Sequence, residues 1–479
     1  MELKDPSLLK TGAYINGEWL NFSNTFPVLN PATSEEIAAV SDCSVDQAKE
    51  AIDGASKAFQ SWKSKTAEQR QSILLKWHQL ILNNAADLAT IMTTEQGKPL
   101  AEARAEVNYG ASFIKWFAEE GRRTYGDVIP SSSSSSRIIT LKQPIGVCVA
   151  ITPWNFPLAM ITRKIAPALA VGCTVVVKPA EDTPLTALAL AELAERAGLP
   201  KGVLNVITCH SAEEVGTFLT THPTVRKISF TGSTEVGKIL MKNAAENVTK
   251  ISLELGGNAP FLVFDDADIK AAAEGAIASK YRNAGQTCIC ANRILVQDGV
   301  YNEFMKAYSA KVKNLKVGNG IEEGVQIGPL INQQGLDKVK RLLEDATSHG
   351  GKLTLGGKAD HDLFFQPTII ENVDASMDIH SEEIFGPVSA IYRFSTEDEG
   401  IRMANDTIYG LAAYFYSENM SRVWRVSEAL EFGMVGVNTG AISTAVAPFG
   451  GMKQSGIGRE GSKYGVDEYL EVKYVNLGV

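Results

Sequence analysis

Residues 145–178 read IGVCVAITPWNFPLAMITRKIAPALAVGCTVVVK: an apolar run at Ile145–Ile151, a turn, a helical segment at Pro157–Val171 and a second apolar run at Thr174–Val177. The two runs are too short for helices and lack polar alternation, so they predict strands buried on both faces. The pattern then repeats. Apolar runs at Val203–Ile207, Lys227–Phe230 and Lys250–Glu254 alternate with helical segments at Pro184–Ala197, Ala212–Thr221 and Thr234–Ala245. Thr183 before Pro184, and Ser211 with Glu214 as a capping box, predict two of the helix starts. Such alternation predicts a parallel sheet covered by helices, with ligands bound at the carboxyl ends of its strands.

Upstream, Tyr14–Trp19 predicts a hairpin turning on Asn16-Gly17. Ser44 caps a helix through Val45, Ile52 and Trp62, and Thr66 with Gln69 opens a second that is expected to run through Leu82 and Met92 to Gly97. A third covers Leu100 to Glu120. The serine tract Ser131–Ser136 predicts a turn or flexible link before a strand at Ile138–Lys142, the two forming a projecting arm. Downstream of Gly257 the alternation restarts with a strand at Phe261–Phe264 and a helix at Ile269–Tyr281, giving a second α/β domain to about residue 446. Glu468–Leu477 alternates as a terminal strand without an evident partner, hence an edge or an exchange with another subunit. These readings divide the chain into 1–121 with 143–253, then 254–446, with 122–142 and 447–479 as arm and C-terminal segment. A chain of 479 residues exceeds what one core supports.

Composition excludes several function classes. A net charge of −9 with scattered Lys and Arg argues against nucleic acid or an anionic membrane as partner. The start MELKDPSLLKTG has no signal-peptide character, and no apolar run reaches 18 residues. Six cysteines and six histidines show no metal-site spacing. A cytoplasmic, reducing setting is expected.

Chemistry concentrates at Tyr281–Arg293, YRNAGQTCICANR. Cys288 follows a flexible Asn283-Ala284-Gly285 turn and precedes a strand at Asn292–Gln297; alone it reads either as a nucleophile or as a small buried hydrophobe. FTGSTEVGK at 230–238 superficially matches a phosphate loop, but Ile239 stands where a metal-holding hydroxyl belongs, which excludes a nucleotide triphosphatase. A glycine turn into a helix N-terminus remains, suited to a pyrophosphate.

Several segments in order now carry a resemblance: Pro153-Trp154-Asn155-Phe156-Pro157, Lys178-Pro179-Ala180-Glu181, Leu253-Glu254-Leu255-Gly256-Gly257, Gly285-Gln286-Thr287-Cys288, Glu382–Val388, Pro448–Gly451 and Ser455–Glu460. The set resembles the NAD(P)-dependent aldehyde dehydrogenase superfamily over essentially the whole chain. The resemblance implies a Rossmann-like cofactor domain, a second catalytic α/β domain and a small β oligomerisation arm. It implies Cys288 as nucleophile, Glu254 as general base, and an oxyanion held by the Asn155 amide and the Cys288 N–H. Trp154, Lys178, Glu181, Ser233, Glu383 and Phe385 would bind the cofactor, with Lys178 and Glu181 on the adenosine ribose. A carboxylate at 181 repels a 2′-phosphate, so NAD is expected over NADP, with NADP use open.

Within the superfamily the chain is most similar to succinate-semialdehyde dehydrogenases, through GQTCICANR and FGGMKQSGIGREGSKYGVDEYLEVKY. That branch places Arg163, Arg282 and a hydroxyl from Ser443 or Thr444 on the distal carboxylate. It also raises a Cys288–Cys290 disulfide, which extended geometry disfavours. Glutarate semialdehyde is the alternative substrate. A retired dehydrogenase serving as a structural or binding protein would show erosion at Cys288, Glu254 or Asn155, and all three are intact. A homo-oligomer, dimer or tetramer, is expected.

Overall fold

The structure is a computed structural model describing all 479 residues. The run at 145–151 becomes the strand Val147–Ile151, every residue buried, at the centre of an eight-stranded sheet. Its five parallel strands lie in the spatial order Leu204–Val206, Thr174–Lys178, Val147–Ile151, Val225–Thr231, Lys250–Glu254. The chain therefore winds one way from Val147–Ile151 and then the other. The point of reversal, between Val147–Ile151 and Val225–Thr231, opens a crevice at the carboxyl ends of these two strands. Asn155 leaves from one lip and Ser233 from the other.

The predicted hairpin forms as Ala13–Ile15 with Glu18–Leu20, its turn residues Asn16 and Gly17 at φ 52° and 76°, and extends the sheet antiparallel to Leu204–Val206. At the opposite edge Gly456–Ile457 pairs antiparallel with Lys250–Glu254, returning the end of the chain to the first domain. The second sheet has six parallel strands in the order Thr368–Glu371, Val388–Phe394, Ala291–Gln297, Ala259–Val263, Ala412–Tyr416, Met434–Val437, with Lys352–Leu355 antiparallel at one edge. Cys288 and Glu383 lie just before two of these strands. The site thus sits where the carboxyl ends of one sheet meet the amino ends of the other.

Three local expectations are corrected. The long helix from Thr66 is two, Ala67–Asn83 and Ala85–Gln96; Asn84 leaves helical geometry (φ −104°, ψ 18°) and its side-chain amide donates back to the Leu80 carbonyl at 2.8 Å, competing with the helix bonds. Thr183 and Ser211 stand at helix starts, but neither side chain caps; the Thr183 hydroxyl is buried without a partner. The terminal strand has a partner within the chain: Leu470–Gly478 pairs over nine residues with Ser136–Pro144, which also pairs with Val128–Ile129 across the serine turn. Ser44 and Thr66 do form capping boxes, with Gln47 and Gln69.

The helices pack as their sequences require. In Ala159–Val171, which follows the Asn155 loop, all 13 residues are buried. Trp62 and Trp77 are buried at its flank and beyond, donating to the Leu169 and Leu190 carbonyls at 3.1 Å each; truncating either to alanine costs about 3–5 kcal/mol. No helix is long and apolar enough to cross a membrane.

Candidate active site

The nucleophile loop is built from strained backbone. Asn283 and Ala284 are both left-handed (φ 51° and 54°), a conformation costing about 1–2 kcal/mol for a residue with a Cβ. Buried contacts hold them there. The Asn283 N–H donates to Glu102 Oε2 at 2.8 Å, and its side-chain amide donates to the Asn155 carbonyl at 3.0 Å. Gly285 (φ 76°) is required by a protein contact: a Cβ there would come within 2.2 Å of the Gly386 carbonyl oxygen. Gln286, an odd residue for a core, is consumed at both ends, accepting from Ile331 N at 3.0 Å and donating to Asn283 O at 3.2 Å. The loop is rigid on all sides, and Cys288 emerges from it half-buried.

Two cavities meet at Cys288. One, of about 560 Å³, lies over the switch-point crevice, and its walls include Trp154, Asn155, Ser233, Glu383 and Phe385. The Trp154 and Phe385 rings meet edge to face at 5.5 Å, and Phe385 is held left-handed at φ 53°. Ser233 caps the helix Thr234–Ala245 by accepting from Val236 N at 3.3 Å. Glu383 accepts from Gly257 N at 3.1 Å, and burial pushes its carboxyl up to about 7. Lys178 and Glu181 do not line this cavity. They sit at the end of the adjacent strand, 3.4 Å apart, and Glu181 faces a neighbouring cavity of about 460 Å³ that shares the Ile331 and Asn332 wall.

The other cavity, only about 10 Å³, is lined by Tyr109, Phe156, Met160, Arg163, Arg282, Cys288, Ser443 and Phe449 among others. Arg163 is 1% exposed in the buried helix, faces the Glu460 carboxylate through Nε, and lies 4.1 Å over the Phe449 ring. Both of its Nη atoms lack a hydrogen-bond partner. Burial alone would lower its pKa, but the Glu460 carboxylate more than compensates, so the guanidinium is firmly charged. Arg282 lies 4.6 Å over Phe156 and forms no ion pair. Ser443 faces this cavity, whereas Thr444 faces a separate one beside Met434 and Pro448.

Asn155 Nδ2 donates to the Gln286 carbonyl at 3.0 Å, which leaves its second hydrogen free, and its Oδ1 has no partner. The Cys288 N–H makes no hydrogen bond within the chain. Burial pushes the Cys288 thiol up to about 12; Arg163 pulls it down, while Glu383 and Glu254 push it further up. Glu254, at the end of Lys250–Glu254, is 3% exposed and lines neither cavity. Its carboxylate lies in a polar cluster with Glu460, Arg163 and Lys164, with Oε2 unpartnered, and burial followed by the Glu460 charge raises it well above the carboxylate range. Lys164 bridges Glu460 and the Thr231 hydroxyl. Cys290 is buried without a disulfide, its thiol donating to the Gly285 carbonyl at 3.3 Å with Lys280 Nζ 3.9 Å away.

Sequence reasoning missed Tyr109, Lys164 and Glu460 as parts of this site. Two charges in the otherwise apolar AMITRKIAPALAV were the available signal for a buried acidic partner. Tyr109 had none.

Comparison with known proteins agrees with this geometry. The aldehyde dehydrogenase family profile matches residues 19–475. The chain is 57% identical to a glutarate-semialdehyde dehydrogenase of Pseudomonas putida, over all of both chains. It is 55% identical, again over all of both, to the succinate-semialdehyde dehydrogenase (NADP(+)) of Escherichia coli. A crystal structure of an aldehyde dehydrogenase from Brucella melitensis superposes with a TM-score of 0.99 at 60% identity, covering 100% of this chain and 99% of that one. A thiol presented by a strained loop at the mouth of a switch-point cavity, together with these matches along the whole chain, makes this protein a member of the aldehyde dehydrogenase family.

Proposed function

We propose that this enzyme oxidises succinate semialdehyde to succinate at Cys288, with NAD as the preferred acceptor and NADP as the second. The observation that carries the substrate reading is Arg163: a charged, fully buried guanidinium with two orphaned nitrogens, lining the same small cavity as the thiol. An unpaired buried donor is costly, and a carboxylate is the ligand whose geometry matches an arginine fork. Arg282 and Ser443 face the same space. The relatives at 57% and 55% identity, a glutarate- and a succinate-semialdehyde dehydrogenase, support the class of ω-carboxy aldehydes and leave the chain length between them.

The large cavity suits a dinucleotide. The capped helix start at the switch point would hold the pyrophosphate, and the half-buried Glu383 carboxylate, with one N–H partner, would accept from ribose hydroxyls. When bound there, the nicotinamide supplies the two-electron acceptor. The remaining chemistry belongs to the chain. Cys288 gives its proton, through the general base Glu254, to solvent and attacks the aldehyde carbon, and the free Asn155 amide hydrogen and Cys288 N–H stabilise the oxyanion. After oxidation, a thioester remains on Cys288. Glu254 takes a proton from the hydrolytic water; its orphaned Oε2, set back beside Glu460 and Lys164, moves toward Cys288 for this step. Preference for NAD rests on Glu181, whose carboxylate also neutralises Lys178.

The chain works as a homo-oligomer, dimer or tetramer, through the arm. Val128 and Val472 are 82% and 67% exposed on its small sheet, and Ile239 and Val236 lie exposed on the helix Thr234–Ala245. Such apolar faces match a second copy of the chain. Its six unbridged cysteines fit a reducing cytoplasm.

The deciding experiment is kcat/KM for succinate semialdehyde, glutarate semialdehyde and butyraldehyde, each with NAD and NADP, repeated on Arg282→Ala. A large preference for the carboxylated aldehydes that collapses in the variant is expected. Equal use of butyraldehyde would refute the anion subsite.

A further inference from the structure

The segment 153–158 that carries Asn155 belongs to no helix or strand, yet its side chain must meet an oxyanion to within a fraction of an ångström. Lys98 holds it. This lysine lies in the turn between Ala85–Gln96 and Leu100–Glu120, 1% exposed, and its Nζ donates to Glu106 Oε2 at 2.5 Å and to the Asn155 carbonyl at 2.7 Å. The same ammonium sits 3.9 Å over the Phe156 ring. Glu106, also 1% exposed, spends its other oxygen on the Leu158 and Ala159 N–H groups, at 3.0 and 3.2 Å. Those are the first groups of the helix carrying Arg163, whose N-cap Leu158 cannot cap it.

One buried ion pair therefore grips the Asn155 loop at Asn155 itself and at its exit into the helix. Its stability contribution does not account for it, because a buried pair rarely outperforms apolar residues of the same volume. We propose that Lys98 and Glu106 are positioning residues for the oxyanion: they act through the Asn155 backbone to aim its Nδ2 at the developing charge. The inference rests on Asn155 being an oxyanion donor and extends that reading by one layer of residues.

The test uses the full-length enzyme carrying Lys98→Met with Glu106→Gln. This pair strands no charge and keeps the acceptor for Leu158 and Ala159. A donor misplaced by about 1 Å costs roughly 100-fold, so kcat for succinate semialdehyde is expected to fall about 10- to 100-fold with KM changed less than about threefold. Alkylation of Cys288 by iodoacetamide, a displacement that develops no oxyanion, should stay within about threefold. Added to Asn155→Ala, the two substitutions should cause almost no further loss, since the group they aim is gone. If the double variant unfolds, Glu106→Gln alone should show the same pattern in weaker form, with the melting temperature reported beside it. Alkylation falling in step with kcat, fully multiplicative losses on Asn155→Ala, or an unchanged kcat would each overturn the inference. Asn155→Ala with normal activity would instead overturn the oxyanion reading beneath it.

Discussion

The two cavities that meet at Cys288 differ in almost every respect. The larger is some 560 Å³, walled by loops from both sheets, with the Trp154 and Phe385 rings beside polar groups such as Asn155, Ser233 and Glu383; the smaller is about 10 Å³, room for roughly one water, packed with aromatic rings and arginines. One is a preformed berth for a bulky ligand. The other is narrow, and the two Nη atoms of Arg163 beside it lack hydrogen-bond partners. On the proposed reading the contrast teaches that cofactor affinity and substrate choice are encoded separately, and the thiol is the single residue both sides share.

Variants should respect this partition. Cys288→Ala removes the shared element and should lower kcat about 10⁴-fold or more for every aldehyde and either cofactor, measured by reduced-nicotinamide absorbance. Arg163→Met breaks only the small side. Glu460 keeps Lys164 as a partner, so no carboxylate is stranded; kcat/KM for carboxylated aldehydes should fall by about 2–5 kcal/mol in transition-state terms, well beyond the loss for butyraldehyde, which feels only the weaker thiolate, and the KM for NAD should barely change. Loss of butyraldehyde activity in parallel would erase the distinction between the cavities.

Arg163 also lowers the Cys288 pKa, so the same variant sharpens the comparison through pH. With the thiol raised to about 12, the thiolate fraction grows as pH rises, and alkylation of the cofactor-free enzyme should accelerate without a plateau through pH 10. Arg163→Met should slow it further at each pH. A plateau near pH 8 would show a thiol already activated without ligand.

Tyr109→Phe probes the small side more gently. The hydroxyl is buried without a partner between Arg163 and Ser443, so its removal should leave stability unchanged or raised while kcat/KM for the carboxylated substrates drops about tenfold. Glu181→Ala, on the far edge of the large side, should have the smallest effect. Its carboxylate is 41% exposed and screened, so about 1 kcal/mol of NAD preference over NADP should be lost, with aldehyde choice intact.

Legibility in the sequence followed the same division. The parallel sheet was readable from unbroken apolar runs because strands buried on both faces leave no polar residue to interrupt them. Cys288, Asn155 and Glu254 stand out in the sequence because each lies in a motif of several residues. Lys98 and Glu106 are invisible in the sequence, since they meet the Asn155 loop only in the folded chain, across 57 and 52 residues. The break at Asn84 and the missing caps at Thr183 and Ser211 show the reverse limit: local signals are overruled when tertiary contacts claim the same groups.

The ladder that ties Leu470–Gly478 to Ser136–Pro144 bears on the order in which the chain is made. Glu460, which neutralises the cationic centre of the substrate cavity, follows Lys164 by 296 residues. At ribosomal speeds of about 5–20 residues per second, Arg163 and Lys164 wait roughly 15–60 s for their counter-ion. The whole second sheet, from Ala259 to Val437, is synthesised within that interval, and the most distant contacts form last. The nascent protein is therefore catalytically silent until its final segment is released and docked. A chain that stops some twenty residues early would be an inactive one rather than a weakened one.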